Sequence, residues 1–178
     1  MNPEMTISVG ILTVSDRSAR GERPDTSGSA LSQIISQQGW KVDASAIVAD
    51  EFDQIIATLI KWSGELHIDL ILTTGGTGFA PRDITPEATR QVIQKEAPGL
   101  AEAMRSQGAR TNPHSILSRA VAGIRNKTLI INLPGSPSGA SESLEAILAV
   151  LPHAIEILQN SPDAERGHRA LHVPPGSS

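Results

Sequence analysis

The run Asp69-Leu70-Ile71-Leu72-Thr73, followed by Thr74-Gly75-Gly76-Thr77-Gly78, constrains this chain more than any other segment. A short apolar run without alternation reads as a strand covered on both faces. The glycines behind it let the backbone turn sharply and approach a ligand closely. A doubly covered strand needs helices on both sides, and the rest of the chain supplies them. Ile7–Val14 reads as a strand and Ser15–Ser27 as a surface loop. Ser29–Gln38 has Leu31, Ile34 and Ile35 at helical spacing, stopped by Gly39. Val42–Val48 alternates as a strand. A helix then starts at Asp50, with Phe52, Ile55, Ile56, Leu59 and Ile60 as its buried stripe. Pro86 opens a helix running toward Glu96, and Pro98 another through Met104. Gly108–Ser115 is loop. Arg119–Ile124 and Thr128–Asn132 are two more strands, and Leu133–Gly139 is a second turn-rich loop. Ser141–Leu158 is an amphipathic helix that Pro152 should kink or split near Leu148. The alternation predicts an α/β fold with a mostly parallel sheet between helices. Residues 1–160 are expected to form a single domain, and 161–178 a poorly ordered polar tail.

Composition narrows the function. The chain has 178 residues and no cysteine, which removes disulfides, thiol nucleophiles and cysteine metal sites. Aromatic residues are 2% and the net charge is −4, so neither a stacking platform nor a basic surface for nucleic acid is expected. The apolar runs are too short or too interrupted to span a membrane. The first residues lack the charged start and apolar run of a secretion signal. A soluble, cytoplasmic protein with no nucleic-acid or membrane partner is therefore expected.

Ligands of parallel sheets bind at the carboxyl ends of the strands. Here those ends are Ser15-Asp16, Asp50, Thr73–Gly78 and Pro134-Gly135-Ser136; only Arg119–Ile124 lacks a polar or glycine-rich end. The glycine loop is neither a P-loop, since GxxxxGK[ST] is absent, nor a dinucleotide fingerprint, since Pro81 takes the third glycine position. It suits a phosphate cradle, or simply a tight strand-to-loop turn. Asp83 follows closely, where phosphate would repel a carboxylate unless magnesium lay between them. It reads as a ligand group, and Thr85 as the cap of the next helix. Asp50 fits an ordinary helix cap, with Asp53 in the first turn, and also a metal ligand. Ser15-Asp16 fits a turn as well as a site. Gly135-Ser136 fits an anion site or a capped turn, with Ser141 or a neighbour as the cap. His168 and His172 are four apart, but no third metal ligand accompanies them.

Taken together, TTGGTGFAPRDITPEAT (Thr73–Thr89), ILTVSD (Ile11–Asp16), LSR (Leu117–Arg119) and LIINLPGSP (Leu129–Pro137) strongly resemble the MogA/MoaB family. That family includes the bacterial molybdopterin adenylyltransferases and the G domain of gephyrin, and the resemblance runs from about Ile7 to Leu158. It implies a three-layer αβα sandwich, usually a homotrimer. It implies transfer of AMP from ATP to the terminal phosphate of molybdopterin with loss of pyrophosphate, using Mg2+. A separate molybdenum-insertase protein then takes the adenylate. The family's catalytic aspartates match Asp50 and Asp83, both also expected to hold the metal. Its nucleotide- and pterin-binding loops match Gly75, Gly76, Thr77, Gly78, Pro134, Gly135 and Ser136, and its LSR serine matches Ser118; Ser15, Asp16 and Thr74, at the strand ends, are also expected to bind substrate. Ala49 stands where relatives often have proline. A non-catalytic molybdopterin carrier of the MoaB type is the alternative, and a scaffolding module a third.

Overall fold

The computed structural model describes residues 6–159. Residues 160–178, including the expected tail and His168 and His172, lie outside the described residues. Six strands form one sheet in the order β2-β1-β3-β6-β5-β4. They are β1 (Ser8–Val14), β2 (Lys41–Val48), β3 (Leu70–Thr74), β4 (Lys95–Glu96), β5 (Ala122–Arg125) and β6 (Thr128–Leu133). The first four in that order are mutually parallel. Their register brings Val48 beside Val14, Thr13 beside Thr74, and Thr74 beside Leu133. Four carboxyl ends thus stop at one level. β5 runs antiparallel to β6 and to β4. Its carboxyl end, Arg125 followed by Asn126-Lys127, therefore finishes at the opposite rim, away from the other four.

Side chains alternate between two cores. Val9, Ile11, Leu70, Leu72, Leu129 and Ile131 face one side. There they meet Leu31, Ile34 and Ile35 of α2 (Thr26–Gln37), Met104 of α5 (Pro98–Gly108), Leu144 of α6 (Pro137–Ile147) and Leu151 and Ile155 of α7 (Leu151–Leu158). Leu12, Val14, Ile71 and Ile130 face the other. They meet Ile55, Leu59 and Trp62 of α3 (Phe52–Gly64) and Ala88 and Val92 of α4 (Thr85–Val92). Helices therefore cover both faces, giving the three-layer αβα sandwich that the unbroken apolar strands require.

Several boundaries differ from expectation. The stretch read as a loop after β1 contains α1 (Asp16–Ala19) and the start of α2. Asp25 causes the early start: its Oδ1 accepts the Gly28 N–H at 2.8 Å, a side-chain N-cap. α3 begins at Phe52, two residues after Asp50, and its stripe is Ile55, Leu59 and Trp62; Phe52 and Ile60 are exposed. α4 ends at Val92, because the chain leaves to pair Lys95 and Glu96 with β5. α5 runs on to Gly108, and Pro113–Leu117 forms a 3-10 turn. β5 begins at Ala122 rather than Arg119. The last helix starts at Pro137, capped by Ser136 rather than Ser141, and breaks at a 3-10 segment, Leu148–Val150. Pro152 lies in the first turn of α7, where its missing N–H costs nothing.

Candidate functional site

From β1 the chain crosses to β2 on one side, then returns to β3 on the other. Strand order reverses at β1/β3, and a crevice opens beyond the carboxyl ends of such a pair. A cleft of about 330 Å³ lies there. Ser15 and Ser18 line it after β1, Asp50 after β2, Thr74, Gly75 and Gly76 after β3, and Gly135 and Ser136 after β6. Asp83 lines it from the loop before α4, and Arg23–Ser27 from the loop before α2.

Two glycines make this packing possible. Gly75 has φ +102, and a Cβ there would lie 2.2 Å from the Val14 carbonyl oxygen. Gly76 has φ +64, and a Cβ would lie 2.3 Å from Thr85 Oγ1 and 3.3 Å from Asp50 Oδ1. The loop is thus pressed against β1 on one side and against a cleft carboxylate on the other. Gly75 gives its N–H to the Leu133 carbonyl, and Gly76 accepts the Thr85 N–H. Thr85 does not cap α4 with its side chain; its buried hydroxyl donates to the Gly75 carbonyl at 2.9 Å. Thr74 is buried and donates to the Pro134 carbonyl at 2.7 Å, tying the two ligand loops together.

Asp50 does not act as a helix cap. Glu51 occupies that position without a side-chain bond, while Asp50 Oδ2 accepts the Asp16 N–H at 2.8 Å. Asp16 Oδ1 accepts the Asp50 N–H at 3.0 Å in return. Burial raises the Asp50 pKa above its ordinary value; the charges of Asp16 and Asp83 push the same way, against the Asp16 backbone bond and Arg82. Asp16 is held below its ordinary value, first by its hydrogen bond from Arg82. Asp83 Oδ2 accepts the Ala80 N–H at 2.8 Å, which folds the loop back on itself.

The remaining expected residues divide. Asp16 does not line the cleft; it is bonded to Asp50, which does. Thr77 and Gly78 do not line it either; their carbonyls accept the Arg119 N–H and Nε–H at 3.0 and 2.7 Å. Ser118 and Pro134 line a separate cavity of about 50 Å³ with Met104, Arg105 and Glu142.

Three residues escaped the sequence reading. Asp25 joins the Gly28 N–H to the buried Thr13 hydroxyl, which donates to Oδ2 at 2.7 Å. Its signal is an Asp just before a helix, hidden because the apolar spacing places the start at Ser29, three residues after the observed Thr26. Arg119 binds the Asp83 carbonyl at 2.6 Å and pairs with Glu87. Arg82 binds Asp16, Glu51 and the Asp50 carbonyl. Both arginines stand inside the motifs quoted above, but their partners, distant in sequence, give no local signal.

The charge layout suits a polyanion. α2 and α6 both start at the cleft, at Asp25 and Ser136, so two positive helix ends face it. Two half-buried carboxylates, Asp50 and Asp83, stand among them.

Residues 10–153 match the family described as probable molybdopterin binding domain. A molybdopterin adenylyltransferase of Helicobacter pylori is 46% identical over 157 residues, 86% of this chain and 88% of the relative. Gephyrin of Dictyostelium discoideum is 38% identical over 91% of this chain, which spans 24% of it. The crystal structure of the molybdopterin biosynthesis enzyme MoaB from Thermus thermophilus superposes with a TM-score of 0.84 at 53% identity, covering 88% of this chain and 99% of that one. The chain belongs to the molybdopterin-binding domain family, together with the bacterial molybdopterin adenylyltransferases.

Proposed function

We propose that the chain is a molybdopterin adenylyltransferase, joining AMP from ATP to the terminal phosphate of molybdopterin and releasing pyrophosphate. One observation carries the reading beyond family membership: Asp50 and Asp83, from different loops, converge with Gly75 and Gly76 on one cleft at the strand switch point. A pterin phosphate oxygen forms the new bond to the α-phosphorus as the bond to pyrophosphate breaks, so no side-chain nucleophile is needed. What the protein must supply is alignment and charge neutralisation.

The donor set fits magnesium. Among the described residues no three potential ligands cluster into a cage. Magnesium usually takes only one or two carboxylates, with phosphate oxygens and water completing its shell. Asp50 and Asp83 would hold it, and once bound it would offset charge on the ATP phosphates. The amino ends of α2 and α6 add fixed positive potential for the rest of the polyphosphate. The Gly75 N–H is committed to Leu133, so we assign it a structural part and give phosphate contact to the loop beyond it. Ser15, Gly135 and Ser136 line the same cleft.

The same reading includes a homotrimer, a cytoplasmic location beside the ATP pool, and a separate insertase that consumes the adenylate. These rest on the family resemblance. For location, no helix among the described residues is long and apolar enough to cross a membrane. The direct test is incubation with molybdopterin and ATP labelled at the α-phosphate. Label in a molybdopterin–AMP adduct supports the reading. Tight molybdopterin binding without labelled product would make the chain a carrier.

A further inference from the structure

Arg82 joins the ends of β1 and β2 to the loop after β3. Its Nε and Nη2 fork onto Asp16 at 2.6 and 3.0 Å. Nη2 also reaches the Asp50 carbonyl at 3.1 Å and Glu51 Oε1 at 2.9 Å. Asp16 is in turn bonded twice to Asp50, accepting its N–H and giving its own N–H to Oδ2. The guanidinium therefore grips both the backbone of Asp50 and the residue that holds its carboxylate. Arg82 itself does not line the cleft. Its side chain is 57% exposed, and an exposed ion pair contributes little to stability. A planar two-pronged grip still sets angles that a point charge cannot.

We propose that Arg82 is a positioning residue, acting through Asp16 to aim the Asp50 carboxylate into the cleft. The inference rests on the reading of Asp50 as part of the adenylyl-transfer site. Without Arg82, Asp16 swings free, the reciprocal bonds loosen, and Asp50 samples orientations that do not face the nucleotide phosphates. The fold survives, because none of the four contacts lies in either hydrophobic core.

The test uses Arg82→Gln and Arg82→Lys in the full chain, each alone and with Asp50→Asn. In ligand-free Arg82→Gln, amide exchange at Asp16 and Asp50 should quicken by about tenfold, while strand amides such as Leu72 and Ile131 stay unchanged. Turnover should fall by about 10- to 100-fold with the melting temperature within a few degrees of wild type. Arg82→Lys should recover only part of it. In the Asp50→Asn background, Arg82→Gln should add less than about twofold, since both changes damage one group. A full multiplicative loss there would make Arg82 a direct substrate contact and overturn the proposal, as would unchanged exchange at both amides. If Asp50→Asn alone keeps full activity, the parent reading of Asp50 fails instead, and exchange at Asp16 and Asp50 still decides whether Arg82 holds them.

Discussion

Replacing Gly75 by alanine tests whether the glycine loop must press against β1. Two costs add. The first is conformational: at φ +102 an L-residue is strained by about 1–2 kcal/mol. The second is steric. The new Cβ would fall 2.2 Å from the Val14 carbonyl oxygen, well inside contact distance. That oxygen belongs to the last residue of β1, whose backbone is paired with β2, so relief means shifting β1 or the loop, about 1–3 kcal/mol more. The total is about 2–5 kcal/mol, or a fall of very roughly 5–15 °C in melting temperature at this chain length. Gly39→Ala is the control. Gly39 has φ +73 with nothing within 4 Å of its Cβ position, so it should lose only the conformational part, about 1 kcal/mol. Urea unfolding of the wild type and both variants gives the comparison, provided the m-values agree. If Gly75→Ala costs no more than Gly39→Ala, the loop is not wedged against Val14 and the account of the cleft's shape is wrong.

Asp83→Asn should leave the fold intact and lower turnover by about 10²-fold, the scale for losing a preorganised charge; unchanged turnover in the folded variant would remove Asp83 from the chemistry. Asp25→Ala removes the α2 cap and strands the buried Thr13 hydroxyl, costing about 2–3 kcal/mol, whereas Asp25→Asn keeps the cap and should cost about 1 kcal/mol. Equal denaturation midpoints for the two would show that the carboxylate bridge is idle. For Asp50 the sign follows from its raised pKa: its favourable contribution is present below the ordinary 3.8 and is lost as pH rises through the folded value. Asp50→Asn should therefore be at least as stable as wild type at pH 7 in magnesium-free buffer, with the difference closing below about pH 4. A clear loss of stability at pH 7 would mean that the charged form is favoured in the fold.

Much of this was legible because period and punctuation agree in the strands. The doubly covered β1, β3 and β6 show as unbroken apolar runs, and their polar ends mark the cleft. Pro152 announced the break in the last helix. What stayed hidden depends on partners distant in sequence. β4 has two residues and exists only through pairing with β5. Asp50 and Thr85 look like helix caps because local preference favours capping. Tertiary partners claimed both side chains instead: the Asp16 N–H, 34 positions away, and the Gly75 carbonyl. Arg82 and Arg119 work by gripping backbone carbonyls that no motif displays.

In the proposed reaction Asp50 and Asp83 act as one unit on the phosphates of ATP. Molybdopterin-dependent pyrophosphate release, measured for wild type, Asp50→Asn, Asp83→Asn and the double variant, tests it directly. Each single change should cripple release, and the double variant should be scarcely worse than either, as for groups serving one step. Full activity in Asp50→Asn, or losses that simply multiply in the double variant, would contradict it.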